Sequence, residues 1–150
     1  MNSITVKVIK QADPAAVVRL YQEAGWWRND YTDDFIPPVL RNSFCVVGAF
    51  DGNELIGMGR AISDGVSDAY IQDIAVLNAY RGRGIGTRIV KKLLRHLQQH
   101  HVDWIGLIGE PGTEPFYGRL GFAAMPHYVP MLLQQPPAGR RRRTQVKERS

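Results

Sequence analysis

A chain of 150 residues, 44% apolar and 22% charged, has the balance of one soluble globular domain. No apolar run approaches the roughly 20 residues that a membrane-spanning helix requires. The net charge of +5 resides in the last eleven residues, where Arg140, Arg141, Arg142, Arg143, Lys147 and Arg149 face Glu148 alone. The body before that tail is neutral, so the basic balance points to no nucleic-acid partner for the folded part.

Ile4 to Ile9 alternates well enough for a first strand. Asp13 before Pro14 is a helix start, a capping side chain with proline at the first helical position. Val17, Val18, Leu20, Tyr21 and Ala24 form its apolar stripe, and Gly25 ends it. Trp26, Trp27 and Tyr31 follow in a loop, and residues 33–42 hold a short second helix begun or interrupted by Pro37-Pro38. Asp51-Gly52 between two apolar runs is a hairpin signal. It joins strands over 43–50 and 54–62, and Cys45 in the first of these reads as a core thiol. As the sole cysteine, it leaves no disulfide and no cysteine metal site, which suits a reducing cytoplasm. The polar stretch from Met1 to Lys10 has no apolar centre and does not read as a signal peptide.

Tyr70 to Leu77 is a β-branched apolar run and predicts the fourth strand. Ile85, Ile89, Val90, Leu93, Leu94 and Leu97 then recur at spacings of three and four, marking an amphipathic helix. Between them lies Arg81-Gly82-Arg83-Gly84-Ile85-Gly86-Thr87. A glycine-rich loop entering a helix presents unpartnered N–H groups, backed by the positive end of the helix dipole. Its glycines let an anion approach the backbone without a Cβ in the way. This is a phosphate cradle, but no Walker lysine follows it, and Thr87 stands where the dinucleotide fingerprint has its third glycine. His96, His100 and His101 sit at the helix C-terminus, where a cation is favourable, and are assigned no metal role. Residues 102–108 read as a fifth strand, Pro115 to Leu120 as a short helix, and 122–124 and 128–133 as final strands. Residues 134–150 show no core-forming pattern and read as a disordered tail appended to a domain of residues 1–133.

The pattern Arg81-x-x-Gly84-x-Gly86 after a strand ending Ile74-Ala75-Val76, with Phe116-Tyr117-Gly-Arg-Leu-Gly121-Phe122 about 30 residues on, resembles the GNAT family of N-acetyltransferases. The similarity covers roughly residues 3–133. Gly25-Trp26, Ile62 to Gly65 and Tyr70 to Asp73 are similar to a bacterial subgroup whose substrates are mostly unassigned. The resemblance implies an α/β (α+β) fold with a mixed sheet of six to seven strands flanked by helices. Acetyl-CoA, as cosubstrate, would lie where the fourth and fifth strands splay apart in a V. Backbone groups of Ile74, Ala75 and Val76 would hold its pantetheine arm, and N–H groups of Arg81, Gly82, Arg83, Gly84, Ile85, Gly86 and Thr87 its pyrophosphate, with Phe116 beside them. Tyr117 would protonate the departing thiolate after direct attack by a neutral amine. A catalytically weak acyl-CoA sensor and a protein N-acetyltransferase are the alternatives. The family also implies a homodimer.

The amine must lose a proton, and Asp73, Glu110 and a water chain are the candidates for receiving it. Strict alternation puts Asp73 with Ile71 and Ala75, opposite Tyr70 and Gln72, unless a bulge rotates the strand. Trp26, Trp27, Tyr31, Tyr70 and Gln72 are the candidate acceptor residues. Asp30, Asp33, Asp34, Asp64 and Asp68 beside these aromatics would favour a small cationic or aromatic amine over an anionic one. Alternatively they are solvated loop charges, with Asp33 and Asp34 capping the second helix.

Overall fold

The structure is a computed structural model, and residues 3–134 are described. The tail assignment therefore lies, beyond Gln134, outside the described residues. The elements are β1 (Ile4–Ile9), α1 (Pro14–Glu23), α2 (Ile36–Asn42), β2 (Cys45–Asp51), β3 (Glu54–Ser63), β4 (Asp68–Val76), α3 (Ile85–Gln99), β5 (Trp104–Gly106) and α4 (Glu114–Gly118). Single 3-10 turns precede α2 and follow β4. The strands form one sheet in sequence order, antiparallel from β1 to β4 and parallel at β4–β5.

Local chemistry sets these boundaries. Asp13 accepts the N–H of Ala15 at 3.1 Å, with Pro14 at the start of α1. Pro37-Pro38 lies in the first turn of α2, where missing N–H groups cost nothing, so the prolines begin this helix and do not break it. Asp51-Gly52 turns the β2–β3 hairpin, with Gly52 at φ 58°.

The sheet is held between two helical layers. Ile85, Ile89, Val90, Leu93 and Leu97 form the buried stripe of α3. Ile89 and Leu93 press against β3 at Gly57 and Gly59, where an added Cβ would meet their methyl groups. On the other side Val17, Leu20 and Tyr21 of α1 join Ile36 and Leu40 of α2 in the same core cluster. Cys45 is buried there, and desolvation pushes its thiol up to about 11, which keeps it protonated and unreactive.

The sheet has five strands among the described residues, not six or seven. Phe122 packs on the core, but 122–124 and 128–133 form no strand. Pro126 and Pro130 remove ladder donors, and His127 takes φ 68° in the turn between them.

Close contact of α3 with β3 requires glycine at position 59, whose Cβ would collide with Ile74 and lie 2.9 Å from Ile89. Gly59→Ala is expected to cost about 1–3 kcal/mol through overpacking, read as a lower urea midpoint at unchanged slope. An unchanged midpoint would mean that this contact is loose.

Candidate functional site

The pairing of β4 with β5 spans only Asp68–Trp104, Ala69–Ile105 and Tyr70–Gly106. β4 continues to Val76 while β5 has ended, so the backbone of β4 from Ile71 onward faces an opening where a neighbouring strand would be. Residues Ile74, Ala75 and Val76 lie on this stretch, still paired to β3 on their other side through Ala75–Met58 and Val76–Gly57.

A bulge bends β4 inside this stretch. Gln72 pairs with Arg60 and Ala75 with Met58, so Gly59 stands opposite two residues, Asp73 and Ile74. Asp73 takes φ 60°, a left-handed conformation unusual for a non-glycine residue. The consequence corrects the strict alternation: Asp73 shares the face of Tyr70 and Gln72, while Ile74 turns toward Gly59 and α3. The Asp73 carboxylate accepts from Arg60 Nε at 2.7 Å and from the Tyr21 hydroxyl at 3.0 Å. Its side chain has no exposed surface and that of Arg60 very little. Burial lowers the Arg60 pKa, opposed by the nearby Tyr21. Asp73 is thus committed to an internal ion pair tying β4, β3 and α1 together.

At the far end of the opening the chain enters the glycine loop. Leu77 N–H donates to the Ile56 carbonyl, Asn78 N–H to Glu23 Oε2 at 2.6 Å, and the Tyr80 hydroxyl to Asp51 Oδ2 at 2.8 Å. These bonds fix the loop's approach. Gly82 and Gly84 have φ 77° and 75°, and a Cβ on either would meet nothing within 4 Å. The loop's open side is therefore bare backbone at the N-terminus of α3, where the N–H groups of Ile85, Gly86 and Thr87 precede the first intrahelical donor, Arg88 to Gly84. Such a surface fits a pyrophosphate. Phe116 of α4 packs against Gly86 and closes one side. Arg81 turns back, its Nε donating to the Val76 carbonyl at 3.2 Å, and Arg83 lies over the Tyr80 ring. The backbone, more than these two side chains, makes the cradle.

The other wall comes from the segment after β5. Thr113 N–H and Oγ1 both donate to the Glu110 carbonyl, forming the turn that starts α4. Tyr117 stands against Gly109, edge-on to Phe116 and Phe122. Its pKa is raised, first by burial and second by the Glu110 charge. Glu110 is exposed and accepts a 2.5 Å bond from Trp26 Nε1, which ties the loop after α1 to the loop before α4. Trp26 in turn lies 5.9 Å from the Tyr21 ring.

Several acceptor-side expectations change. Tyr31 is buried and meets Trp27 and Phe35 as part of an aromatic cluster, so it walls no pocket; Trp27, stacked on Phe35, belongs to the same cluster. Asp30 is paired to Arg28 at 2.9 Å. Asp64 accepts from the N–H groups of Val66, Ser67 and Asp68 and from the Ser67 hydroxyl, holding its own turn. Asp33 and Asp34 lie in the first turn of the 3-10 helix before α2. Asp30 and Asp64 are therefore engaged locally. Tyr70 and Gln72 do face outward on the bulged strand, and Tyr70 meets Trp104, a partner that the sequence reading did not single out.

Residues 9–122 match the model of the Acetyltransferase (GNAT) family. The Glycine max protein named Histone acetyltransferase TAP1 is 33% identical over 128 residues, 78% of this chain and 54% of its own length. The chain thus spans about half of that relative. The structure of a GNAT family acetyltransferase from Streptococcus pneumoniae superposes with a TM-score of 0.77 at 26% identity, over 90% of this chain and 100% of that one. A Clostridium acetobutylicum structure described as a predicted acetyltransferase with acetyl-CoA shares the fold at TM-score 0.68 and 16% identity, covering 87% and 96%.

The Asp73–Arg60 pair is buried, so its structural load can be measured directly. Asp73→Asn leaves Arg60 buried without its counter-charge and is expected to cost about 3–5 kcal/mol, measured by urea unfolding. A mutant as stable as the parent would show that the pair carries no structural load.

Proposed function

The chain belongs to the Acetyltransferase (GNAT) family, and from that premise we propose that it transfers an acetyl group from acetyl-CoA to a primary amine by direct attack. The observation that carries this reading is the short β4–β5 pairing, which leaves an opening that leads to the glycine cradle, with the segment carrying Glu110 and Tyr117 reaching that cradle through Phe116 against Gly86. Backbone groups of Ile74, Ala75 and Val76 hold the extended arm of the cosubstrate as a missing strand would. The α3 N-terminus takes its pyrophosphate.

In the reaction the amine nitrogen bonds to the thioester carbonyl carbon and the carbon–sulfur bond breaks. Tyr117 supplies the hydrogen bond and proton that the leaving sulfur needs. Its raised pKa keeps the phenol protonated at neutral pH, so it enters the reaction as a donor. The amine proton goes to Glu110, which is exposed and oriented by the Trp26 indole. Asp73, buried against Arg60, holds the bulged strand in place. The acceptor enters over Tyr70 and Gln72, beside Trp26.

The acceptor is a small amine in this reading. A protein amine is the second reading, and the name of the Glycine max relative favours it. The subgroup suggested by Ile62 to Gly65 remains part of the proposal, and so does a cytoplasmic location.

Two variants distinguish the roles by their pH dependence. Tyr117→Phe is expected to lower kcat roughly 100-fold or more, at every pH and with acetyl-CoA affinity retained. Glu110→Gln is expected to lose about as much at pH 7, but to converge on the parent as pH rises and the amine becomes neutral unaided. A pH-independent loss in Glu110→Gln would remove Glu110 as base, and full activity in Tyr117→Phe would make that residue structural. The assay is thiol release with a panel of small amines and amine-bearing peptides.

A further inference from the structure

Where β4 and β5 part, the sheet carries an aromatic platform. Trp104 and Tyr70 meet edge-on with ring centroids 5.4 Å apart, yet both stay exposed, at 42% and 45%. Ile62, the cross-strand partner of Tyr70 on β3, is exposed at 47%. Residues paired across a sheet share a face, and so do residues two apart along a strand. Tyr70 pairs with Gly106, and Gly106 stands two residues after Trp104. Ile62, Tyr70 and Trp104 therefore form a row on one face, the face that also carries Gln72.

A glycine builds this platform. A Cβ on Gly106 would lie 2.9 Å from Cη2 and Cζ3 of Trp104 and 3.7 Å from the Tyr70 ring. The indole thus lies across bare backbone to reach Tyr70, and a larger residue at position 106 would push it away. Apolar surface left to water beside a proposed site marks a place where something binds. Arg60, the basic side chain of this face, is already held by the Asp73 carboxylate at 2.7 Å. What the face offers an acceptor is ring surface.

We propose that Trp104 and Tyr70 select the acceptor, holding the aromatic ring of an arylalkylamine whose nitrogen is acetylated. This rests on the transferase reading above and adds the acceptor's class. In that reading the cosubstrate arm runs from the cradle along Val76 to Ile74, so its acetyl end arrives near Gln72. Two residues of strand, from Gln72 back to Tyr70, span about 7 Å. That is the reach of a two-carbon link between an aromatic ring and its amine nitrogen. A ring seated against the Tyr70–Trp104 pair brings its nitrogen to the thioester carbon and covers the aromatic faces that are otherwise exposed.

Initial rates of acetyl-CoA-dependent thiol release test this, with 2-phenylethylamine, n-hexylamine and O-phosphoethanolamine as probes. The parent is expected to favour 2-phenylethylamine over n-hexylamine in kcat/KM by roughly 3–10-fold, the range of one aromatic pairing beyond its area. Its preference over O-phosphoethanolamine should be larger. Trp104→Ala should bring the ratio of 2-phenylethylamine to n-hexylamine close to one through a rise in KM, and Trp104→Phe should restore part of it. A merely structural Trp104 would lower both rates alike and leave the ratio unchanged. The parent's own ratio decides the matter even where Trp104→Ala fails to fold. Equal or lower kcat/KM for 2-phenylethylamine in the parent, or an unchanged ratio in folded Trp104→Ala, would overturn the inference alone. Thiol release with none of the three probes would overturn it too, and silence with amine-bearing peptides as well would remove the transferase reading beneath it.

Discussion

The bulge at Asp73 is the constraint on which the rest of the site depends. One extra residue in β4 bends the strand, and β4 and β5 stay paired for only three residues before they part. A left-handed aspartate is a costly way to make a bend, of order 1–3 kcal/mol. It is held by a bond to Arg60 from the neighbouring strand and another from Tyr21 of α1. The ion pair thus fixes a conformation that local preference would avoid, and that conformation opens the sheet. The proposed cosubstrate site lies along that opening.

Much of the architecture was legible because it rests on local rules. Asp13-Pro14, Asp51-Gly52 and the 3.6-residue period of Ile85 to Leu97 each dictate one element from neighbouring residues. Gly82 and Gly84 did the same for the cradle, since their positive φ values suit no other residue so well. The bulge was not legible. It depends on Arg60 and Asp73, on different strands, finding each other in the core, and alternation along a single strand cannot register this. A signal was present nonetheless: each is a lone opposite charge inside an otherwise apolar run, and two such charges in neighbouring strands call for a pair. The terminal strands failed for the complementary reason. Their apolar pattern was read correctly, but a strand needs a partner edge, and these residues pair with none among the described residues, Pro126 and Pro130 removing ladder donors.

The acceptor side shows how composition misleads where geometry decides. Five aspartates near three aromatic residues suggested a cation-attracting rim. Asp30 belongs to Arg28 and Asp64 to its own turn, while Tyr31 and Trp27 fill a local core with Phe35. Glu110, distant in sequence from these groups, proves to be the carboxylate that connects them to the site. Through Trp26 it bridges two loops, and its charge reaches Tyr117. In the proposed reaction the two groups are thereby linked, since the Glu110 charge is one of the causes that raise the Tyr117 pKa.

Hydrogen exchange read by mass spectrometry, with and without acetyl-CoA, tests the central claim most directly. The account expects slowed exchange in two separate stretches, residues 72–76 along the open edge of β4 and residues 82–87 at the start of α3. The hairpin of β2 and β3 should be unaffected. Protection spread evenly over the chain, or confined to regions away from these two stretches, would contradict the claim that the opening beyond Tyr70 and Gly106 is where the cosubstrate lies.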